Sequence, residues 1–134
     1  MSQYIFIYGT LRPGLAPDEI ARAVEALKPV GEGSVRGVLY DLGDYPGARL
    51  DASSEQRIIG WVYRLPEDAG VLQELDRYEG FNPEAPGKSL FLRVEELVEM
   101  GYGLALRCWI YVYNLEPVGA RVVMDGRYGK RAAS

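Results

Sequence analysis

Histidine is absent from the sequence, and cysteine occurs only once, as Cys108. Without an imidazole there is no histidine base and no Ser-His or Cys-His pair for nucleophilic catalysis. A metal site would have to use carboxylates and one thiol, and no cluster of these ligands occurs at a suitable spacing. Proton transfer near neutral pH is therefore left to a carboxylate, a lysine, a tyrosine or the one cysteine. We expect no metal and no other cofactor.

Blocks of positive charge and long apolar runs are also missing. The formal net charge is −4, and no cluster of Lys or Arg offers a surface for nucleic acid. The apolar runs fall far short of the ~20 residues that a membrane-spanning helix needs. Met1–Tyr8 lacks the basic region and cleavage site of a signal peptide. We therefore expect one domain, residues 1–134, with neither nucleic-acid nor membrane partners, in the cytoplasm, where a single reduced cysteine is usual.

Glycine and proline, by contrast, are plentiful. The chain has 16 Gly and 8 Pro between short apolar segments, as is typical of turns in a strand-rich fold. Apolar patterning predicts helices at 17–28 and 67–78, and strands at 3–8, 35–42, 48–50, 57–65, 90–100 and 104–113. The tail, 118–134, is predicted to hold a turn and a short strand before a mobile end. Because helices and strands do not alternate strictly, we predict an α+β fold: a small mixed sheet of about six strands, curled into a barrel with helices outside.

Glu79 stands out by its position at the end of the second predicted helix. It falls on the apolar stripe of that helix, which consists of Val71, Leu72, Leu75 and Tyr78. A carboxylate directed towards the core is unusual unless it is paired or functional. The alternative is that Glu79 turns outward just before Gly80, which is a typical helix-ending residue. Periodicity alone favours this alternative.

An inward Glu79 would have a raised pKa for three reasons. The C-terminal end of a helix carries partial negative charge, which disfavours an anion. Glu74 and Asp76 add like charge nearby, and partial burial removes the carboxylate from water. A carboxyl group tuned towards neutrality can both accept and return a proton. Glu79 is therefore the candidate general acid and base.

A second candidate feature is the segment formed by Tyr8, Gly9, Thr10 and Leu11, between the first predicted strand and the first helix. The glycine lets successive backbone N–H groups turn towards one cavity, and such a nest binds a carboxylate or an oxyanion. The alternative is an ordinary strand-to-helix turn. A phosphate-binding loop is excluded, because no Gly-Lys-Ser/Thr sequence follows.

Several segments together resemble the γ-glutamylcyclotransferase-like family, in particular its small single-domain, γ-glutamylamine cyclotransferase-like branch. They follow the family's order and span nearly the whole chain: YGTLRPG (8–14), GVLYDLGDYP (37–46), GWVYRL (60–65), LDRYEGF (75–81) and WIYVYN (109–114). The resemblance implies a compact β-barrel flanked by helices, with a cavity at one side. It also implies an enzyme of the transferase or lyase type.

By the same resemblance, the backbone amides of Tyr8–Leu11 hold the glutamyl part of a small-molecule γ-glutamyl substrate, and Glu79 is the acid and base. The implied reaction releases an amine or an amino acid and leaves 5-oxoproline. Tyr113 is a candidate for the cavity wall. The alternative function is a non-catalytic module that binds γ-glutamyl or other small molecules on the same barrel. The oligomeric state is left open.

The chain departs from the family pattern at Phe91. Relatives usually have Tyr-x-Arg at this point, whereas Phe91-Leu92-Arg93 keeps the arginine and loses the hydroxyl. If that hydroxyl orients the substrate in relatives, its loss slows turnover or changes the leaving group. This departure is the one feature that favours the binding module. Arg93 itself is either a substrate contact or an ion-pair partner at the barrel rim, and the sequence does not decide between the two.

Overall fold

The computed structural model describes residues 3–128, which form a β-barrel with two helices packed against it. The strands are β1 (Tyr4–Ile7), β2 (Lys28–Asp41), β3 (Pro46–Leu50), β4 (Arg57–Arg64), β5 (Phe91–Gly101), β6 (Leu104–Tyr113) and β7 (Arg121–Val122). The helices are α1 (Asp18–Glu25) and α2 (Ala69–Glu79), and a 3-10 turn, Pro86–Lys88, precedes β5. This architecture confirms the predicted α+β class. The predicted mobile end of the tail, 129–134, lies outside the described residues.

Five strands close the barrel in the order β2, β4, β1, β6, β5 and back to β2. β1 runs parallel to β6, with Ile5 opposite Trp109, and the other pairs of the barrel are antiparallel. β2 continues past the barrel, and there its C-terminal part pairs with β3 and β7. As a result, the loop after β1 emerges beside the turn between β2 and β3.

β2 begins at Lys28, well before the predicted start at residue 35. The segment 28–34 contains one proline and two glycines, and such residues usually indicate a loop. In the barrel, however, a Cβ atom at Gly33 would lie 2.5 Å from Cγ1 of Val98 on β5. The glycine is therefore what lets β2 approach β5 closely enough to close the barrel.

Apolar side chains are buried on both faces of the barrel wall. Alternate residues of β1 point in opposite directions, as expected for a strand. Phe6 packs inside the barrel with Ile58 and Cys108, whereas Ile5 packs on the outer face with Leu75 of α2. Burial raises the pKa of the Cys108 thiol to about 12, so this cysteine is a protonated core residue.

α2 begins and ends with recognisable capping residues. The carboxylate of Asp68 accepts a hydrogen bond from the Gly70 N–H (2.8 Å) at the first turn, which is the usual role of an N-cap aspartate. Gly80 adopts φ 73°, a left-handed conformation that ends the helix directly after Glu79. Within residues 3–128, neither helix is long and apolar enough to cross a membrane.

Gly60 on β4 provides a test of the barrel packing. A Cβ atom at this position would collide with the carbonyl oxygen of Ile7 and lie 2.8 Å from the ring of Phe6. We expect Gly60→Ala to lower the free energy of unfolding by about 1–3 kcal/mol, because overpacked cores must shift their backbone. Gly87→Ala is the matched control, since its Cβ would meet no atom within 4 Å. Urea denaturation of both variants measures the difference, and equal stabilities would contradict the packing described for β1 and β4.

Candidate active site

A cavity of about 390 Å³ opens between one end of the barrel and the last turn of α2. Its wall is formed by the end of β1 with the following loop, the turn between β2 and β3, the end of α2, and the start of β5. Five of the residues predicted from the sequence line this cavity: Tyr8, Gly9, Thr10, Leu11 and Glu79. In the part of the chain that the structure describes, no three Cys, Asp or Glu side chains are grouped so as to hold a metal ion.

The loop after β1 carries backbone donors without acceptors. Across residues 3–128, the N–H groups of Gly9, Thr10 and Leu11 find no hydrogen-bond partner. A Cβ atom at Gly9 would lie 3.0 Å from Cγ of Pro46, so a glycine fits the close contact between the two loops. Three adjacent free N–H groups beside a cavity form a suitable binding site for a carboxylate or an oxyanion.

Tyr8 fixes the start of this loop. Its hydroxyl donates a hydrogen bond to the carbonyl of Tyr111 (2.6 Å) and accepts one from the N–H of Ala48 (3.3 Å). Burial raises the pKa of Tyr8, and the negative charge of Glu79 adds to this effect. The hydroxyl therefore stays protonated, and its two bonds tie the end of β1 to β6 and β3.

Glu79 is the last residue of α2, and its side chain is half-buried at the cavity. Its carboxyl group has neither a hydrogen bond nor an ion pair with any described residue. Burial raises its pKa to about 7, because removal from water disfavours the anion. Its charge also raises the pKa of Tyr8, Tyr78 and Tyr111, which line the same cavity. A lone carboxyl group with this pKa exchanges its proton readily near neutral pH.

Fewer factors raise the pKa of Glu79 than the sequence predicts. We expected contributions from the helix end and from the charges of Glu74 and Asp76, in addition to burial. In the structure, burial alone accounts for the direction of the shift in the pKa of Glu79. Glu74 is exposed to water, and the charge of Asp76 is balanced by Arg93. Neighbouring acids therefore do not determine the protonation of Glu79.

Arg93 lies behind the cavity wall and not in it. Its guanidinium group binds Asp76 through two hydrogen bonds, Nε to Oδ1 (2.7 Å) and Nη2 to Oδ2 (3.0 Å). It also lies over the ring of Trp109, 4.2 Å from the ring centroid. Of the two roles considered for Arg93, the structure shows the ion pair, and Arg93 is not among the residues that line the cavity.

Tyr113 is likewise absent from the residues that line the cavity. Its ring packs edge-on against Phe91, with ring centroids 5.5 Å apart, and it is Phe91 that faces the cavity. Tyr113 instead lines a neighbouring groove of about 330 Å³, together with Asp41 and Glu116. Tyr45 lines both spaces and packs against Phe91 at 5.9 Å. The ring of Phe91, which lacks a hydroxyl, therefore stands at the boundary between cavity and groove.

The sequence did not predict Tyr45, Pro46 and Tyr111 as parts of the site, although all three line the cavity. The first two lie between the predicted strands 35–42 and 48–50, and they reach the cavity because β3 folds back on β2. Tyr111 reaches the cavity from β6. It lies on the same strand face as Tyr113, two residues away. The residue on this face of β6 that reaches the cavity is therefore Tyr111 and not Tyr113.

Comparisons with known proteins agree with this geometry. The family described as Gamma-glutamyl cyclotransferase, AIG2-like matches residues 5–130. Protein ytfP of Escherichia coli has a similar structure, with 25% identity, a TM-score of 0.64, and coverage of 96% of this chain and 98% of that one. An AIG2-like protein of Mus musculus shows 21% identity and a TM-score of 0.63, over 86% of this chain and 80% of that one.

A third similar structure is a gamma-glutamyl cyclotransferase, with 16% identity and a TM-score of 0.62, over 91% of this chain and 70% of that chain. A search of curated proteins finds no match. The structural likeness shows the shared barrel fold, and the family match extends over every segment that forms the cavity. The expected family is thus confirmed: the chain belongs to the gamma-glutamyl cyclotransferase, AIG2-like family.

Proposed function

We propose that this protein cyclises γ-glutamyl compounds, releasing an amine or an amino acid and forming 5-oxoproline, with Glu79 as the general acid and base. The observation that carries this proposal is an unpaired, half-buried carboxyl group facing the same cavity as three free backbone N–H groups. The first can transfer a proton, and the second can hold an anion. Together they can speed the cyclisation of an amino acid derivative that carries its own carboxylate.

The reaction needs only one group that transfers protons. The α-amine of the glutamyl group attacks its own γ-carbonyl carbon, so that a new C–N bond closes a five-membered lactam. Glu79 accepts the proton that the attacking nitrogen loses. It then delivers this proton to the departing nitrogen as the original amide bond breaks. A pKa of about 7 suits both steps, since the base form is populated at neutral pH and the acid form is not too weak to return the proton.

The loop after β1 supplies the orientation in this scheme. The free N–H groups of Gly9, Thr10 and Leu11 bind the α-carboxylate of the substrate, which holds the α-amine near the carbonyl that it attacks. Such pre-orientation lowers the entropic part of the barrier for a ring closure. The cavity volume of about 390 Å³ falls within the range of roughly 300–1,000 Å³ that is usual for small-molecule sites. The cavity therefore accommodates the glutamyl group of a substrate together with part of the leaving amine.

Product analysis on a panel of γ-glutamyl donors tests this function. We expect the purified protein to release equal amounts of amine and 5-oxoproline from at least one donor with a free α-amine. The same donor with an acetylated α-amine is the matched control, and it should release nothing because its nitrogen cannot attack. Release of glutamate in place of 5-oxoproline would contradict cyclisation and indicate hydrolysis.

The same panel separates the enzyme from the binding module. Donors that raise the melting temperature of the protein without yielding any product would favour a non-catalytic function on this barrel. Phe91 is the feature that makes this comparison necessary, since it places no hydroxyl at the edge of the cavity. Phe91→Tyr should then be assayed beside the wild-type chain, because a gain in turnover would assign the lost hydroxyl a role in the reaction.

A further inference from the structure

Asp76 is a buried carboxylate that accepts three hydrogen bonds, one helical turn before Glu79. It accepts two hydrogen bonds from Arg93 and a third from the hydroxyl of Tyr111, the last at 2.7 Å. Only 5% of Asp76 is exposed. Charge-assisted hydrogen bonds of this kind are short and strong, and a two-point contact with arginine also fixes orientation. The last turn of α2 is therefore attached to β5 and β6 at a defined point.

The guanidinium group is itself held by aromatic rings. It lies 4.2 Å from the centroid of Trp109 on β6 and 5.6 Å from that of Phe81, just after α2. Such contacts favour a cation that is partly removed from water. Asp76, Arg93 and Trp109 together form an assembly that we call the clamp.

Asp76 and Glu79 are three residues apart on one helix, so their side chains lie on the same face. Asp76 alone would place a negative charge close to Glu79 and oppose ionisation of its carboxyl group. Arg93 supplies the balancing positive charge. In the structure the two acids therefore differ: Asp76 is paired with Arg93, and Glu79 has no partner among the described residues.

We propose that Asp76 and Arg93 are positioning residues of the cyclotransferase reaction: their neutral pair fixes the last turn of α2 on the barrel and leaves Glu79 facing the cavity without an electrostatic influence from Asp76. The inference rests on the proposed function for its catalytic consequence. Neither residue of the pair lines the cavity, but Tyr111, which donates to Asp76, does. Arg93 thus acts on the site through Asp76 and not through the substrate.

Other titratable groups face Glu79 or its cavity from each neighbouring element. They are four tyrosines and one acid: Tyr8, Tyr45, Tyr78, Tyr111 and Asp44. None of these groups is a cation, and Arg93 reaches this end of α2 through its ion pair with Asp76. Changing Asp76 and Arg93 separately and together consequently isolates the effect of the clamp.

The test removes the charges of Asp76 and Arg93 separately and together, and it measures the titration midpoint of Glu79 by carbon NMR of the glutamate carboxyl groups. The signal of Glu79 is assigned from its absence in the Glu79→Gln variant. Asp76→Asn leaves Arg93 unbalanced and should lower the titration midpoint of Glu79 by about one pH unit. Arg93→Met leaves Asp76 unbalanced and should raise the midpoint by about as much. The double variant, Asp76→Asn with Arg93→Met, restores neutrality and should return the midpoint of Glu79 to the wild-type value. If Arg93→Met does not fold, Asp76→Asn and the double variant still decide the question.

Kinetics then separate positioning from charge. The double variant keeps neutrality but loses the fixed contact, so its kcat should fall by about tenfold with little change in KM. Arg93→Lys keeps the charge and one hydrogen bond, and it should recover part of this kcat at an unchanged midpoint. A merely structural pair would lower stability and leave both kcat and the midpoint of the folded protein as they are, which would overturn the proposal.

Arg57→Met is the control, because it breaks another ion pair, to Glu99 at 2.7 Å, that takes no part in the clamp. It should leave the midpoint of Glu79 unchanged. The NMR titration requires no substrate, so an unmoved midpoint throughout the cycle overturns the clamp even when 5-oxoproline is formed. If the midpoint of Glu79 shifts as expected but the protein turns over no donor, the result would contradict the proposed function and not the clamp.

Discussion

Replacement of Glu79 by glutamine is expected to reduce the formation of 5-oxoproline by roughly 10²–10⁴-fold, which is the usual contribution of general acid–base catalysis. Glutamine has nearly the same shape and cannot accept a proton at neutral pH. The loss should therefore fall on kcat, while donors still bind through the free N–H groups of Gly9, Thr10 and Leu11. Product detection under saturating donor measures the effect.

Glu74→Gln is the matched control for this variant. Glu74 lies on the same helix, but its side chain is exposed, away from the cavity. We expect it to keep wild-type activity. Wild-type kcat/KM should also rise with pH through about 7, as Glu79 ionises, and level off above that value. Retention of most activity by Glu79→Gln would contradict the assignment of Glu79 as the proton-transfer group.

The same substitution should stabilise the protein at alkaline pH. Burial raises the pKa of Glu79 from 4.5 to about 7 in the folded chain. Between these values the folded state binds more protons at this position than the unfolded state, so the free energy of unfolding falls as pH rises. Above pH 7 the full cost is roughly 3 kcal/mol. Glutamine carries no charge at any pH, so the variant does not incur this cost.

Denaturant unfolding at several pH values measures this difference. Glu79→Gln should match the wild-type protein near pH 4 and exceed it by up to roughly 3 kcal/mol above pH 7. Glu74→Gln should follow the wild-type curve, because its carboxylate is exposed. A difference that does not depend on pH would show that packing of the amide, and not ionisation of Glu79, causes the change. A stabilised, inactive variant would be the usual sign of a functional residue that lowers stability.

Local patterns in the sequence were sufficient to predict the order of the helices and strands along the chain. The predicted helix 67–78 agrees with α2 to within about two residues at each end, because Asp68 and Gly80 satisfy the helix ends in the way these residue types usually do. The strand β6 was predicted with its observed bounds, Leu104–Tyr113, since its apolar run is uninterrupted by glycine or proline. β2 was predicted too short, because its glycines serve a close approach between strands and not a turn.

Only some residues of the candidate site could be predicted from the sequence, for a related reason. The loop Tyr8–Leu11 and Glu79 could be located because each depends on a feature of one segment: a glycine after a buried strand, and a carboxylate on an apolar stripe. Arg93 could not be assigned, because its partner Asp76 lies 17 residues away on another element. Tyr45 and Tyr111 depend on how three strands meet, which no local pattern describes.

The sequence by itself therefore determined which kinds of chemistry are available. It contains no histidine, it carries a carboxylate at the end of an apolar helix face, and it follows a buried strand with a glycine loop. Only the tertiary structure decided that Asp76 is paired while Glu79, one turn later, has no partner among the described residues. The physical reason is that pairing and burial arise where α2 packs against β5 and β6, so two similar acids on one helix face acquire different environments.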